Sequence, residues 1–270
     1  MKSAVRKTLF WLVLAFFTVI FLYPILYTFY NSIVSLGDVG KLVAPSRWTG
    51  ENYRILFTQY PVYRWFMNTL VVTLSCTAGQ LVVNTMAGYA LARFDFPGRK
   101  LIFTVVLASM MIPFPFILTP MYINLARLKL NDTLWALIIP FLYNTLYMFM
   151  ARQYFIGMPQ ELEDAARVDG LGHAGTFFRI MIPNAKPLIT SITILTFTGT
   201  WNSYLAPSTF MVTRDKFVLS VGLKTVKDFQ FEKMNLTLAG VVVLSLPILI
   251  MFLCLQKQFV EGVVTSGIKG

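Results

Sequence analysis

Residues 8–30 read TLFWLVLAFFTVIFLYPILYTFY, a run without a single Asp, Glu, Lys, Arg or His. A hydrocarbon core about 30 Å thick requires about 20 mostly apolar residues in helical form, so this stretch is long enough to cross a bilayer. Lys2, Arg6 and Lys7 stand just before it, as they would before a secretory signal, but the apolar run is too long and no small-residue cleavage site follows. It reads as a retained anchor. Five further stretches meet the same test, roughly 66–92, 101–124, 134–155, 187–211 and 236–256. The expected fold is all-α, a polytopic membrane protein with six transmembrane helices forming one domain over residues 1–270.

The composition agrees with this reading. Of 270 residues, 56% are hydrophobic and 13% charged, against about 45–50% and about 25% in soluble domains. So little charge excludes a disordered chain. Cys76 and Cys254, each inside an apolar run, make no disulfide scaffold. The net charge of +11 comes from 23 Lys and Arg scattered among the apolar runs, without a dense basic tract, so membrane lipid and not nucleic acid is the expected partner of that charge.

Six crossings place both termini on one side. The basic residues divide almost evenly between the two sides, but orientation follows the charges close to the spans. Lys2, Arg6 and Lys7 precede the first run, nothing basic follows it until Lys41, and Arg93, Arg99 and Lys100 separate the second run from the third. Both termini are therefore expected in the cytoplasm, with residues 257–270 as a cytoplasmic tail.

Well inside the runs the polar residues are neutral: Asn68, Thr69, Thr73, Asn84 and Thr85 in the second, Asn144 and Thr145 in the fourth, Thr196, Thr198, Thr200, Asn202 and Ser203 in the fifth. Such residues either join helices by hydrogen bonds or line a path for an uncharged, hydroxyl-rich solute. Thr200, Asn202, Ser203 and Asn144 are the candidates for such a path. Ion-driven carriers usually hold ionisable groups within the membrane, so a self-sufficient secondary carrier is a weaker alternative. Pro24, Pro113, Pro115, Pro120, Pro140 and Pro247 are expected to kink or interrupt helices, most of all at Ile112-Pro113-Phe114-Pro115.

The longest cytoplasmic connection, 156–186, contains Met158-Pro159-Gln160-Glu161-Leu162-Glu163-Asp164-Ala165-Ala166-Arg167-Val168-Asp169-Gly170. Pro159 suits the first position of a helix, Glu161, Glu163 and Asp164 complement its dipole, and Gly170 supplies a left-handed stop. Glu163 and Arg167 are spaced for an i,i+4 pair. Leu162, Ala165, Ala166 and Asp169 follow at three- and four-residue spacing as a narrow face open to close approach. A second amphipathic segment, His173 to Ile182, follows and ends at Pro183, giving a helix, a turn and a helix. Lying flat on the headgroups is the other reading of such a hairpin.

These residues resemble the EAA loop of ABC importer permeases, whose pattern is Glu-Ala-Ala, three residues, Gly, nine residues, Ile-x-Leu-Pro. Asp164-Ala165-Ala166, Gly170 and Ile180-Met181-Ile182-Pro183 match at the same gaps, with Asp for Glu and Ile for Leu. Ala87-Gly88-Tyr89-Ala90-Leu91-Ala92-Arg93-Phe94, Glu51-Asn52-Tyr53, Trp201-Asn202-Ser203-Tyr204 and the tail 262–270 resemble the maltose-type carbohydrate branch. The resemblance implies a permease of the bacterial cytoplasmic (inner) membrane. Its expected companions are a second permease subunit in a heterodimer, two cytoplasmic ATP-binding subunits and an extracytoplasmic solute-binding protein. It implies that Leu162, Glu163, Asp164, Ala165, Ala166, Asp169 and Gly170 couple to an ATPase groove, and that the tail extends toward the ATPases.

The chain has no Gly-x-x-x-x-Gly-Lys-Ser/Thr motif, because Phe217 stands where Gly222-Leu223-Lys224-Thr225 would need a glycine. ATP and Mg are thus expected on partner subunits and no cofactor on this chain. No metal site is expected at the lone His173, and no catalytic residue anywhere: a membrane-embedded enzyme would need a buried nucleophile, metal cluster or carboxylate pair. The expected function is half of a translocation path for a sugar or oligosaccharide.

Overall fold

The computed structural model describes residues 2–226 and 233–267, with the side chains of 6–226 and 233–256. Lys227, Asp228 and Glu232 of an expected external loop, residues 268–270 and the tail side chains from 257 onward lie outside the described residues. The described chain is all helical. In order it forms α1 (Lys2–Asn31), α2 (Glu51–Gln59), α3 (Val62–Arg93), α4 (Arg99–Ser109), α5 (Phe114–Arg127), α6 (Trp135–Ile138), α7 (Thr145–Ile156), α8 (Glu161–Val168), α9 (His173–Thr176), α10 (Ile182–Asn184), α11 (Lys186–Trp201), α12 (Leu205–Phe210), α13 (Leu219–Val226) and α14 (Met234–Gly267). A π-helical turn, Phe177–Met181, joins α9 to α10.

Two compact units emerge, Met1–Tyr63 with Val221–Pro247 and Arg64–Ser220 with Ile248–Gly270. In the first, α1 is apolar on every side and exposed along most of its length, the state of a helix that lipid solvates. Its end is tied down by polar side chains. The Asn31 amide donates to the Tyr27 carbonyl at 2.8 Å and its oxygen accepts the Gly40 N–H at 2.7 Å. Buried Asn52 on α2 donates to the Ser32 and Val34 carbonyls, both at 2.8 Å, and accepts from Asn235 on α14 at 2.6 Å.

The second unit is built on α3, which runs through it without a proline. Asn68 donates to the Asp215 and Phe217 carbonyls, Thr69 accepts the Leu219 N–H, and Asn84 accepts the Asn144 N–H. Thr196 on α11 donates to Gln80. For these residues the neutral polar groups join segments, as expected of polar groups in apolar helices. A core of Tyr89, Ala151, Phe155, Phe177, Met181, Ala185, Leu188 and Ile192 gathers α3, α7, the π turn and α11.

Three helices are long and apolar enough to cross a membrane among the described residues: Arg6–Asn31, Val62–Arg93 and Met234–Gln256. The number rises to five only if each of two bent pairs is one span, Arg99–Ser109 with Phe114–Arg127 at 102° and His173–Asn184 with Lys186–Trp201 at 80°. The first bend falls at Pro113-Phe114-Pro115, where two prolines remove backbone donors and disfavour helix in the residue before each. The expected run 134–155 is not one helix. It is divided into α6, a 3₁₀ turn at Ile139–Phe141 and α7, because Pro140 interrupts it and Asn144 starts a new helix by accepting the Leu146 N–H at 3.0 Å. The expected run 187–211 likewise ends as a helix at Trp201 and resumes as α12. Pro24 and Pro247 stay inside unbroken helices, and α14 continues beyond residue 256, where a tail was expected to begin.

Candidate functional site

Helix α8 occupies the expected loop, though Pro159 lies two residues ahead of its first residue, Glu161. Gly170 takes φ +77° after the last turn, the left-handed conformation that only glycine adopts without strain. The Leu171 N–H then returns to the Ala166 carbonyl at 2.9 Å, and the chain turns into α9.

Residues 161–169, α8 and the residue that caps it, divide into a buried and an outward side, and the division corrects the sequence reading. Ala166 is 2% exposed and Glu163 is buried, with Leu162 half-buried beside them. Glu161, Asp164, Ala165, Val168 and Asp169 point outward, Val168 at 89% exposure. The narrow face of Leu162, Ala165, Ala166 and Asp169 is therefore not one face: Ala166 packs into its own unit, while Ala165 and Asp169 are open. Glu163 does not pair with Arg167. Its Oε1 lies 3.0 Å from Nε of Arg93, and Arg167 pairs instead with Asp164 at 3.6 Å.

Arg93 also donates from Nη2 to the Met158 carbonyl at 2.7 Å. Arg99 is engaged with Asp95 at 2.8 Å, and Lys100 remains exposed. His173 sets its ring edge against Phe94, 4.9 Å between centroids.

A cavity of about 290 Å³ lies in the same unit, lined among others by Thr69, Gln80, Phe114, Phe141, Asn144, Tyr147, Thr196, Thr200 and Ser203. Three of the four path candidates, Asn144, Thr200 and Ser203, line this cavity; Asn202 is exposed outside it. No charged side chain is among its lining residues. Amide and hydroxyl groups beside aromatic rings suit solutes with apolar faces and hydrogen-bonding edges. Trp201 is a packing residue, fully buried and stacked on Phe197 at 5.7 Å. Gln80 and Tyr147 were missed in the sequence. A glutamine in the middle of an apolar run is the signal that could have found the first.

Near α6 and α12, Asp132 ties two loops together. It adopts φ +58°, accepts the Val212 and Thr213 N–H groups at 2.9 Å each and the Thr213 hydroxyl at 2.6 Å, and pairs with Lys216 at 2.9 Å. Partial burial pushes its carboxyl up, but these donors outweigh that and hold it well below the usual carboxylate range.

The family described as binding-protein-dependent transport system inner membrane component matches residues 84–264. The arabinooligosaccharides transport system permease protein AraQ of Halalkalibacterium halodurans is 33% identical over all of both chains, and that of Bacillus subtilis is 34% identical over 98% of this chain and 96% of its own. The maltodextrin transport system permease protein MdxG of Bacillus subtilis is 30% identical over 96% and 95%. A crystal structure of a bacterial ABC transporter involved in import of the acidic polysaccharide alginate has a chain of the same fold. Its TM-score is 0.85 at 24% identity, covering 96% of this chain and 98% of that one.

Proposed function

The chain belongs to the family of binding-protein-dependent transport system inner membrane components, and from that premise we propose that it is a permease subunit of an ATP-driven importer of a sugar or oligosaccharide. In this reading it spans the bacterial cytoplasmic membrane six times, with residues 134–156 crossing as a broken segment and both termini in the cytoplasm. A second permease subunit completes the path as a heterodimer, two cytoplasmic subunits bind ATP and Mg, and an extracytoplasmic protein delivers the solute. This chain holds no cofactor and catalyses no reaction itself. The full-length likeness to oligosaccharide permeases carries the reading.

The outward face of α8, Glu161, Asp164, Ala165, Val168 and Asp169, is the surface that docks in an ATPase groove. Two small or short outward side chains let another protein come close, and Gly170 fixes where the helix stops. The neutral cavity lined by Asn144, Thr200 and Ser203 is this subunit's part of the solute path.

The test is reconstitution of the complex in vesicles with its binding protein. Arabino-, malto- and galacto-oligosaccharides are then compared for their stimulation of ATP hydrolysis and for uptake. Solute-dependent hydrolysis by the complex, and none by this chain alone, is expected. Uptake by this chain alone, driven by an ion gradient, would overturn the reading.

A further inference from the structure

Arg93 closes α3 at what the sequence marks as the membrane surface, yet its side chain is only 12% exposed, and that of Glu163 only 6%. One guanidinium is ion-paired with the Glu163 carboxylate of α8 at 3.0 Å and donates from Nη2 to the Met158 carbonyl just ahead of α8 at 2.7 Å. Tyr89, one turn back along α3, faces the same carboxylate and packs against Phe94, Phe155 and Phe177. Two charges withdrawn from water often hold a fold no better than apolar side chains of the same volume. What the pair adds is position, because a guanidinium ion-paired with Glu163 and hydrogen-bonded to the Met158 carbonyl sets where α8 sits on the end of α3.

Helix α3 then continues for 32 residues without a proline. Gln80 and Thr69 on it line the cavity, about 20 Å and about 36 Å along the axis from Arg93. Gln80 in turn donates to the Phe141 carbonyl at 2.6 Å and accepts from Thr196 at 3.1 Å.

We infer that Arg93 and Glu163 are positioning residues that make α8 and α3 move as one body, so that displacement of α8 reaches the cavity wall at Gln80 through a rigid helix. The inference rests on the reading of α8 as the ATPase-docking helix. Apolar replacements would let α8 slide on α3, and the push would be lost at the joint.

The experiment measures solute transported per ATP hydrolysed by the reconstituted complex carrying Arg93→Met, Glu163→Gln or Arg93→Met with Glu163→Met. Docking is read separately, as cross-linking of Ala165→Cys to the ATPase subunit. The ratio is expected to fall about five-fold or more while cross-linking persists. The double variant leaves no uncompensated buried charge, so it assembles even where a single variant does not. A wild-type ratio in the double variant, or hydrolysis and transport falling together at an unchanged ratio, would overturn the inference and leave the pair as a fastener. Arg93→Lys is expected to keep more of the ratio than Arg93→Met, and a ratio no higher would also count against it. Absence of the cross-link in a complex with wild-type Arg93 and Glu163 would defeat the docking reading instead.

Discussion

Gly88 on α3 and Ala151 on α7 pass so closely that a Cβ built on Gly88 would lie 2.5 Å from the Ala151 Cβ, 2.8 Å from the Arg152 amide nitrogen and 3.0 Å from the Met148 carbonyl oxygen. Two of those three neighbours are backbone, which cannot step aside without moving a helix. A Cβ on Gly79 would also collide, at 2.3 Å, but with the end of the Leu142 side chain, which can rotate. Gly88→Ala is therefore expected to destabilise by about 1–3 kcal/mol and Gly79→Ala by less. The apparent midpoint of thermal inactivation in detergent checks the order, and the reverse order would refute a backbone-limited crossing.

The Asp132 clamp makes a prediction about acid. Its folded pKa lies below the ordinary value of about 3.9, so its stabilisation is fully present above that ordinary value and is lost as pH falls from there toward the folded pKa. Backbone hydrogen exchange at Val212 and Thr213, corrected for the intrinsic rate, should be flat between pH 6 and 8 and accelerate only below about pH 4. Asp132→Ala should remove the protection at every pH, at a cost of about 1 kcal/mol. Protection unchanged in that variant would mean that Asp132 does not hold the loop.

At Gly170 the strain of a side chain would be conformational, since nothing lies within 4 Å of a Cβ built there. Gly170→Val should cost about 1 kcal/mol or more through its positive φ and misdirect the turn into α9. Gly170→Asn, a residue that tolerates the left-handed region, should retain more solute-stimulated ATP hydrolysis. Equal activities of the two would show that the turn does not need that conformation.

Ala165 and Ala166 are adjacent and identical, yet their substitutions should fail in different ways. Ala166 is buried within its own unit, so Ala166→Arg should disrupt α8 locally and lower expression or stability. Ala165 is exposed, so Ala165→Arg should leave the chain folded and block ATPase assembly. Co-purification of the ATPase with each variant, scored beside expression, distinguishes them; normal assembly of Ala165→Arg would contradict the docking face.

Three of the bilayer-length runs, 8–30, 66–92 and 236–256, the break at Pro113-Phe114-Pro115 and the left-handed Gly170 were legible in the sequence because each depends on local chemistry. The partner of Glu163 was not. Arg167 stands four residues away at helical spacing, whereas Arg93 is seventy positions distant, among the basic residues between the second and third runs. The two faces of α8 were equally hidden, since Ala165 and Ala166 carry the same side chain and only the packing of α8 against the π turn and α9 decides which is covered. In the run 134–155 Pro140 marked an interruption, but not that a new helix would start at Thr145. That start becomes evident only through Asn84, which accepts the Asn144 N–H from another helix. Gln80 and Tyr147 reach the cavity with Asn144 and Thr200 through long-range folding that no periodicity records.

The most direct measurement places a photo-activated cross-linking side chain singly at Asp164, Ala165, Ala166 and Val168 in the assembled importer and identifies what each captures. Capture of the ATPase subunit from 164, 165 and 168, with capture only within the same chain from 166, is the predicted result. Capture of lipid alone from all three outward positions would contradict it, and would make α8 part of a hairpin lying on the membrane surface.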